Sequence, residues 1–172
     1  MMTILKDKYP IAKKEHRCMF CGHIIKPGEK YRRTTIVYDG EVYDWVEDLN
    51  CTEVFDIVRE RLDVSGYLDY DEGITPEAFQ TEVWEILSED LEIPYTEIES
   101  LSVHEQVLKI LEHKDEICNS LAEAKKADIE YRKKLQYFRN KDIEVKSGKL
   151  TYDEICAYKQ EYADWLKERS FK

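Results

Sequence analysis

A chain of 172 residues with 42% hydrophobic content can bury one modest core and an extension, which excludes several large independent domains. Charged residues make up 37% and mean hydropathy is -0.63, yet apolar positions recur periodically among 12 Tyr and 3 Trp, which excludes a disordered chain. The net charge of -11 is segregated: residues 1 to 33 carry +6, residues 39 to 100 carry -18 and residues 101 to 172 carry +1. The regional sign therefore bears on partners more than the total does.

Met1 to Tyr9 contains no apolar run suited to a signal peptide, and no run of eighteen apolar residues occurs, so the expectation is a soluble, cytoplasmic protein. Five cysteines are an odd number, and two stand in Cys18-Met19-Phe20-Cys21 followed by Gly22. In a reducing compartment that pattern favours metal over a disulfide framework. Two thiolates spaced by two residues chelate one ion because the turn between them folds back, and Gly22 lets backbone amides face sulfur.

Lys26-Pro27-Gly28-Glu29 is a turn signal, and Lys30 to Tyr38, rich in Tyr, Thr, Ile and Val, predicts a strand. Asp39-Gly40 separates it from a second strand over Glu41 to Trp45, and Asp-Gly in that place predicts a type I′ hairpin. Val54, Phe55, Val58 and Leu62 then follow helical spacing, with Cys51 at the helix start. Amides exposed there stabilise a thiolate, so Cys51 joins Cys18 and Cys21 as a candidate ligand for zinc.

Knuckle, hairpin and a helix whose first turn closes the site is the order of treble-clef zinc fingers, and His16 to Leu62 resembles them. It also resembles small phage-encoded zinc-binding proteins, through Cys18, Cys21, Gly22, Pro27 to Tyr31, Tyr38 to Gly40, Trp45 and Cys51. Where that family has a histidine before the last cysteine this chain has Asp48. The resemblance thus implies Cys18, Cys21, Asp48 and Cys51 as the metal set, with His23, His16, water or an outside group as competitors for the fourth place.

Asp63-Val64-Ser65-Gly66 predicts a helix stop and Asp69 to Gly73 a loop. Thr75-Pro76 starts a helix that buries Phe79, Val83, Ile86 and Leu87 and leaves Glu82, Glu85 and Glu89 largely outside; Pro94 ends it. Thr96 with Glu99, Ser102 with Glu105 and Thr151 with Glu154 match the capping-box pattern. From Val103 a seven-residue pattern through Val107, Ile110, Lys114, Ile117, Leu121, Ala124, Asp128, Tyr131, Leu135, Phe138, Asp142 and Val145, most of them apolar, predicts one helix of about 43 residues and about 65 Å. After Gly148 a last helix, with Ile155, Tyr158, Tyr162 and Trp165 on one face, folds back as an antiparallel hairpin. His104 and His113, nine residues apart, read as solvated or capping side chains, and Cys118 and Cys156 as small hydrophobes.

The fold class is therefore α+β, in three parts: a zinc-binding hairpin and helix module over 1–66, an acidic helical middle over 67–101, and the long helix with its antiparallel partner over 102–172. No glycine-rich phosphate loop, nucleophile elbow or two-histidine catalytic motif occurs, so an enzyme is not expected. The first functional expectation is an interaction protein that binds a host protein. The phage resemblance extends this to an anti-CRISPR or other anti-defence inhibitor whose acidic middle mimics nucleic acid before a nucleic-acid-binding machine. The alternative is a nucleic-acid-binding zinc finger using Lys13, Lys14, Arg17, Arg32 and Arg33 around Tyr31. A seam longer than the last helix covers also suggests a homodimer burying Val107, Ile110 and Ile117.

Overall fold

The computed structural model describes residues 3–68 and 73–169, so the loop expected at Asp69 to Gly73 lies almost wholly outside the described residues. Among the described residues the architecture is α+β, with five strands followed by six α-helices. Strand β1 (Thr3–Lys8) pairs antiparallel with β4 (Tyr31–Tyr38), which pairs antiparallel with β5 (Glu41–Asp48). A separate pair, β2 (His16–Arg17) with β3 (Ile24–Ile25), holds the two ends of the Cys18 to Gly22 turn together. The β4–β5 turn has Asp39 at φ 50° and Gly40 at φ 81°, the two positive angles that the Asp-Gly pair predicts.

Strand β1 escapes the sequence reading because Leu5, Lys6, Asp7 and Lys8 carry no clean alternation. It is held partly by charge: the Arg32 guanidinium spans both Asp7 carboxylate oxygens at 3.0 Å, and its hydrogen bonds pull the Asp7 pKa below the usual carboxylate value. Pairing puts Arg32 opposite Glu47, Thr34 opposite Trp45 and Ile36 opposite Tyr43 on one sheet face. Trp45 on that face packs edge-on against Phe20 of the knuckle, which also meets Phe55 and Phe79.

Helix α1 (Leu49–Ser65) starts at the N-cap Asp48, whose side chain accepts from Asn50 N at 2.8 Å, and stops at Gly66 with φ 80°. Helix α2 (Pro76–Glu85) has the anticipated Thr75 cap and Pro start, and continues into a wider turn over Ile86–Asp90, where Leu91 N bonds back to Ile86 O. The short α3 (Tyr95–Ser100) begins after Pro94, so Thr96 lies inside a helix and forms no cap. Helix α4 (Val103–Glu112) has the complete Ser102–Glu105 capping box.

The helix expected to run unbroken from Val103 is interrupted once. His113 (φ -109°, ψ 15°) closes α4 by donating its N–H to Ile110 O, and α5 (Lys114–Lys146) starts at the next residue. Neither Pro nor Gly stands there, which is why no sequence signal marks the break. Across it Val107, Ile110, Ile117 and Leu121 all remain in one apolar core with Val54, Val58, Phe79, Val83 and Ile86, and α4 packs on α1 and α2. These side chains, the reason for expecting a second copy along the helix, are covered within their own unit.

The chain divides into two compact units, Met1–Ala122 and Glu123–Lys172. In the second, the rest of α5 and α6 (Tyr152–Arg169) form an antiparallel hairpin: Tyr131 stacks on Trp165, Lys134 pairs with Glu161, and Phe138 packs on Tyr158 and Tyr162. The Tyr158 hydroxyl donates to Asp142 at 2.7 Å, and burial followed by that bond raises its pKa to about 12. Among the described residues, no helix is long and apolar enough to cross a membrane.

Candidate metal centre

Two separate local structures deliver three thiols to one point. The knuckle turn supplies Cys18 and Cys21: Cys18 N donates to His23 O at 2.9 Å, and Gly22 N donates to Cys18 O at 3.0 Å. Gly22 sits at φ 72°, the left-handed angle that favours glycine, and a Cβ there would lie 3.2 Å from the movable end of the Arg17 side chain. The third thiol, Cys51, lies in the first turn of α1, which the Asp48 cap fixes directly after β5. The Sγ atoms of Cys18, Cys21 and Cys51 lie within 4.8 Å of one another, with Cys18 and Cys51 buried.

Burial and mutual hydrogen bonding make these thiols unequal. Donation from the Cys21 and Cys51 thiols and from Asp48 N–H, the last at 3.3 Å, draws the Cys18 pKa down to about 2. The same Cys18 sulfur, as acceptor, holds the Cys21 proton up to about 12 and pushes the Cys51 thiol up as well. A soft divalent cation would supply the countercharge for ionising all three, and a set of three thiols with two of them buried is donor chemistry suited to a structural metal such as zinc. The residues present fit such an ion, which would cross-link knuckle, hairpin and α1.

Asp48 is placed differently from the thiols. Its carboxylate caps α1 and falls in a neighbouring group with His23 and His104, whose candidate ligand atoms also lie within 4.8 Å of one another. His23 and His104 stack with ring centroids 3.8 Å apart and planes 11° off parallel. His104 also approaches one member of the first group: its Nδ1 is 3.7 Å from Cys21 Sγ. His16 instead packs on Tyr31 with centroids 4.8 Å apart. Sequence reasoning passed over His104 because it is 83 positions beyond Cys21; the one local signal was the Ser102–Glu105 box that puts it in the first turn of α4.

The acidic middle is less free than its charge suggests. Arg61 of α1 pairs with Glu82 at 2.6 Å, Glu89 at 2.8 Å, Glu85 at 3.0 Å and Asp90 at 3.2 Å, so one guanidinium gathers four carboxylates. On the opposite sheet face from Trp45, Lys6, Lys8 and Arg33 join Lys13, Lys14 and His16 around an open cleft of about 650 Å³. Arg33 is paired there with Asp44, and Arg32 is turned away to Asp7 and Glu47. No family model matches this chain, nor does any curated protein or solved structure to which it was compared.

Proposed function

We propose that this is a zinc-containing interaction protein whose knuckle, hairpin and α1 form a treble-clef-like module, and that it acts by binding another protein without catalysing a reaction. The observation that carries this reading is the three-thiol cluster at the junction of those elements, with Cys18 and Cys51 buried and Cys21 half-buried. A metal in that place holds a small, highly charged unit rigid and leaves its surface for contacts. Support for a protein partner comes from the sheet. The row Ile4, Ile36 and Tyr43 continues the core face past Trp45 without cover, and Ile4 is 55% and Tyr43 46% exposed. The partner we favour is a host protein, and the phage resemblance extends this to a nucleic-acid-binding defence machine.

A second reading is favoured by the lysine-lined cleft, which suits a phosphate backbone. Affinity capture from bacterial lysate treated with nuclease separates the two. A protein retained by the wild type and lost with Ile4→Asp and Tyr43→Asp supports the first. Nucleic acid recovered without nuclease, and lost with Lys8→Glu, Lys13→Glu and Lys14→Glu, supports the second. Those lysines are the better probe because charge reversal at Arg32 or Arg33 would break ion pairs within the sheet.

A further inference from the structure

We infer that His104, from the first turn of α4, is the fourth ligand of the metal, so that the ion pins a helix of the distal layer onto the knuckle. The inference rests on the metal reading above and adds to it the ligand that closes the site. Its first support is distance. A sulfur and a nitrogen sharing one tetrahedral zinc are separated by about 3.6 Å, given usual bond lengths of about 2.3 and 2.0 to 2.1 Å. Cys21 Sγ and His104 Nδ1 lie 3.7 Å apart.

The second support is how the ring is held. Ser102 caps α4 and Glu105 returns the bond to Ser102 N at 2.7 Å, which fixes the turn that carries His104. His23, next to the knuckle, stacks flat on the imidazole and limits its rotation. The knuckle is also anchored from the helical side by Gln80, whose Nε2 donates to Phe20 O at 2.7 Å. The knuckle is thus tied to α2 by Gln80 and lies beside α4 at Cys21 and His104.

The third support is the chemistry of the rivals. The Asp48 carboxylate is engaged as the cap of α1, accepting from Asn50 N, and a hard oxygen is a poorer match for a thiolate-rich structural site than imidazole. With His104 as ligand, the Asp48 carboxylate and the stacked His23 ring would lie close enough, within 4.8 Å, to help orient the liganding imidazole. The set becomes Cys18, Cys21, Cys51 and His104, three thiolates and one imidazole.

Titration of the metal-stripped full-length protein with cobalt(II) tests this, because band positions and intensities report both coordination number and sulfur count. The wild type is expected to give a tetrahedral spectrum with thiolate charge-transfer bands. His104→Ala should weaken cobalt binding more than either His23→Ala or Asp48→Asn, whose loss as supporting side chains should cost about tenfold. His104→Cys should bind with a spectrum shifted toward four sulfurs, which also covers the case in which the alanine variant fails to fold. Wild-type affinity in His104→Ala, a dominant loss in His23→Ala or Asp48→Asn, or an unshifted spectrum in His104→Cys overturns His104 while leaving the metal in place. Absence of cobalt binding by the wild type overturns the metal itself.

Discussion

Cys51 occupies the third position after the Asp48 cap, where free amides of α1 favour a thiolate, and it is fully buried in the same core cluster as Cys18, Phe20 and Val54. Cys51→Ser is expected to remove bound metal and lower the melting temperature together; loss of neither would contradict the assignment. Asp48 has a separable role. Asp48→Ala deletes the cap and should cost about 1 kcal/mol, whereas Asp48→Asn preserves it and should cost little. Thermal unfolding of the two variants distinguishes a capping residue from a ligand, since a ligand would lose heavily in both. At this scale the three cysteines were legible because spacing, turn and helix start agree locally. His104 was not, because the packing of α4 against α1 and α2 brings it to Cys21 and no spacing rule spans that separation.

At the scale of elements, the hairpin, α1, the Thr75 start of α2 and the Ser102 and Thr151 boxes follow from turn and capping chemistry contained in a few adjacent residues. What escaped is set at a distance: β1, whose pairing is fixed by β4 and by Arg32, and the break at His113, where no breaker residue stands. Arg61 shows the same principle in charge. Its side chain is 16% exposed and faces four carboxylates. Arg61→Leu should destabilise the protein by about 2 kcal/mol, between the values for surface and buried pairs, and less so in high salt, which screens the repulsion left among the acids. A denaturant series at low and high salt checks this; an unchanged midpoint would show that the network contributes nothing. Reversing Glu82 or Glu85 would disturb the same network, so exposed acids elsewhere make the sounder probe of an acidic docking surface.

Tyr158 gives the second unit its own signature. Its hydroxyl is harder to ionise folded than unfolded, so stability is intact below about pH 10, the value for a free tyrosine, and declines as pH rises from there toward about 12. Tyr158→Phe should flatten that decline in an alkaline melt followed by circular dichroism; an unaltered profile would show that the Asp142 bond does not couple to folding.

Across the whole molecule, the two units have different means of support. The first concentrates its thiols, its sheet and the core around Phe79 and Val107, while the second is an aromatic helical hairpin built on Phe138, Tyr158 and Trp165. A structural metal site contributes about 10 to 16 kcal/mol, comparable to or greater than the whole stability of an ordinary domain. Chelation is therefore expected to unfold the first unit and leave part of the helical signal, with the alkaline transition of Tyr158 preserved. Complete loss of helix on chelation would show the units to be one cooperative system. The most direct test of the central claim is elemental analysis of the native protein purified without added metal. The account predicts one zinc per chain, absent from Cys51→Ser. A metal content near zero, with Cys51→Ser as stable as the wild type, would contradict it.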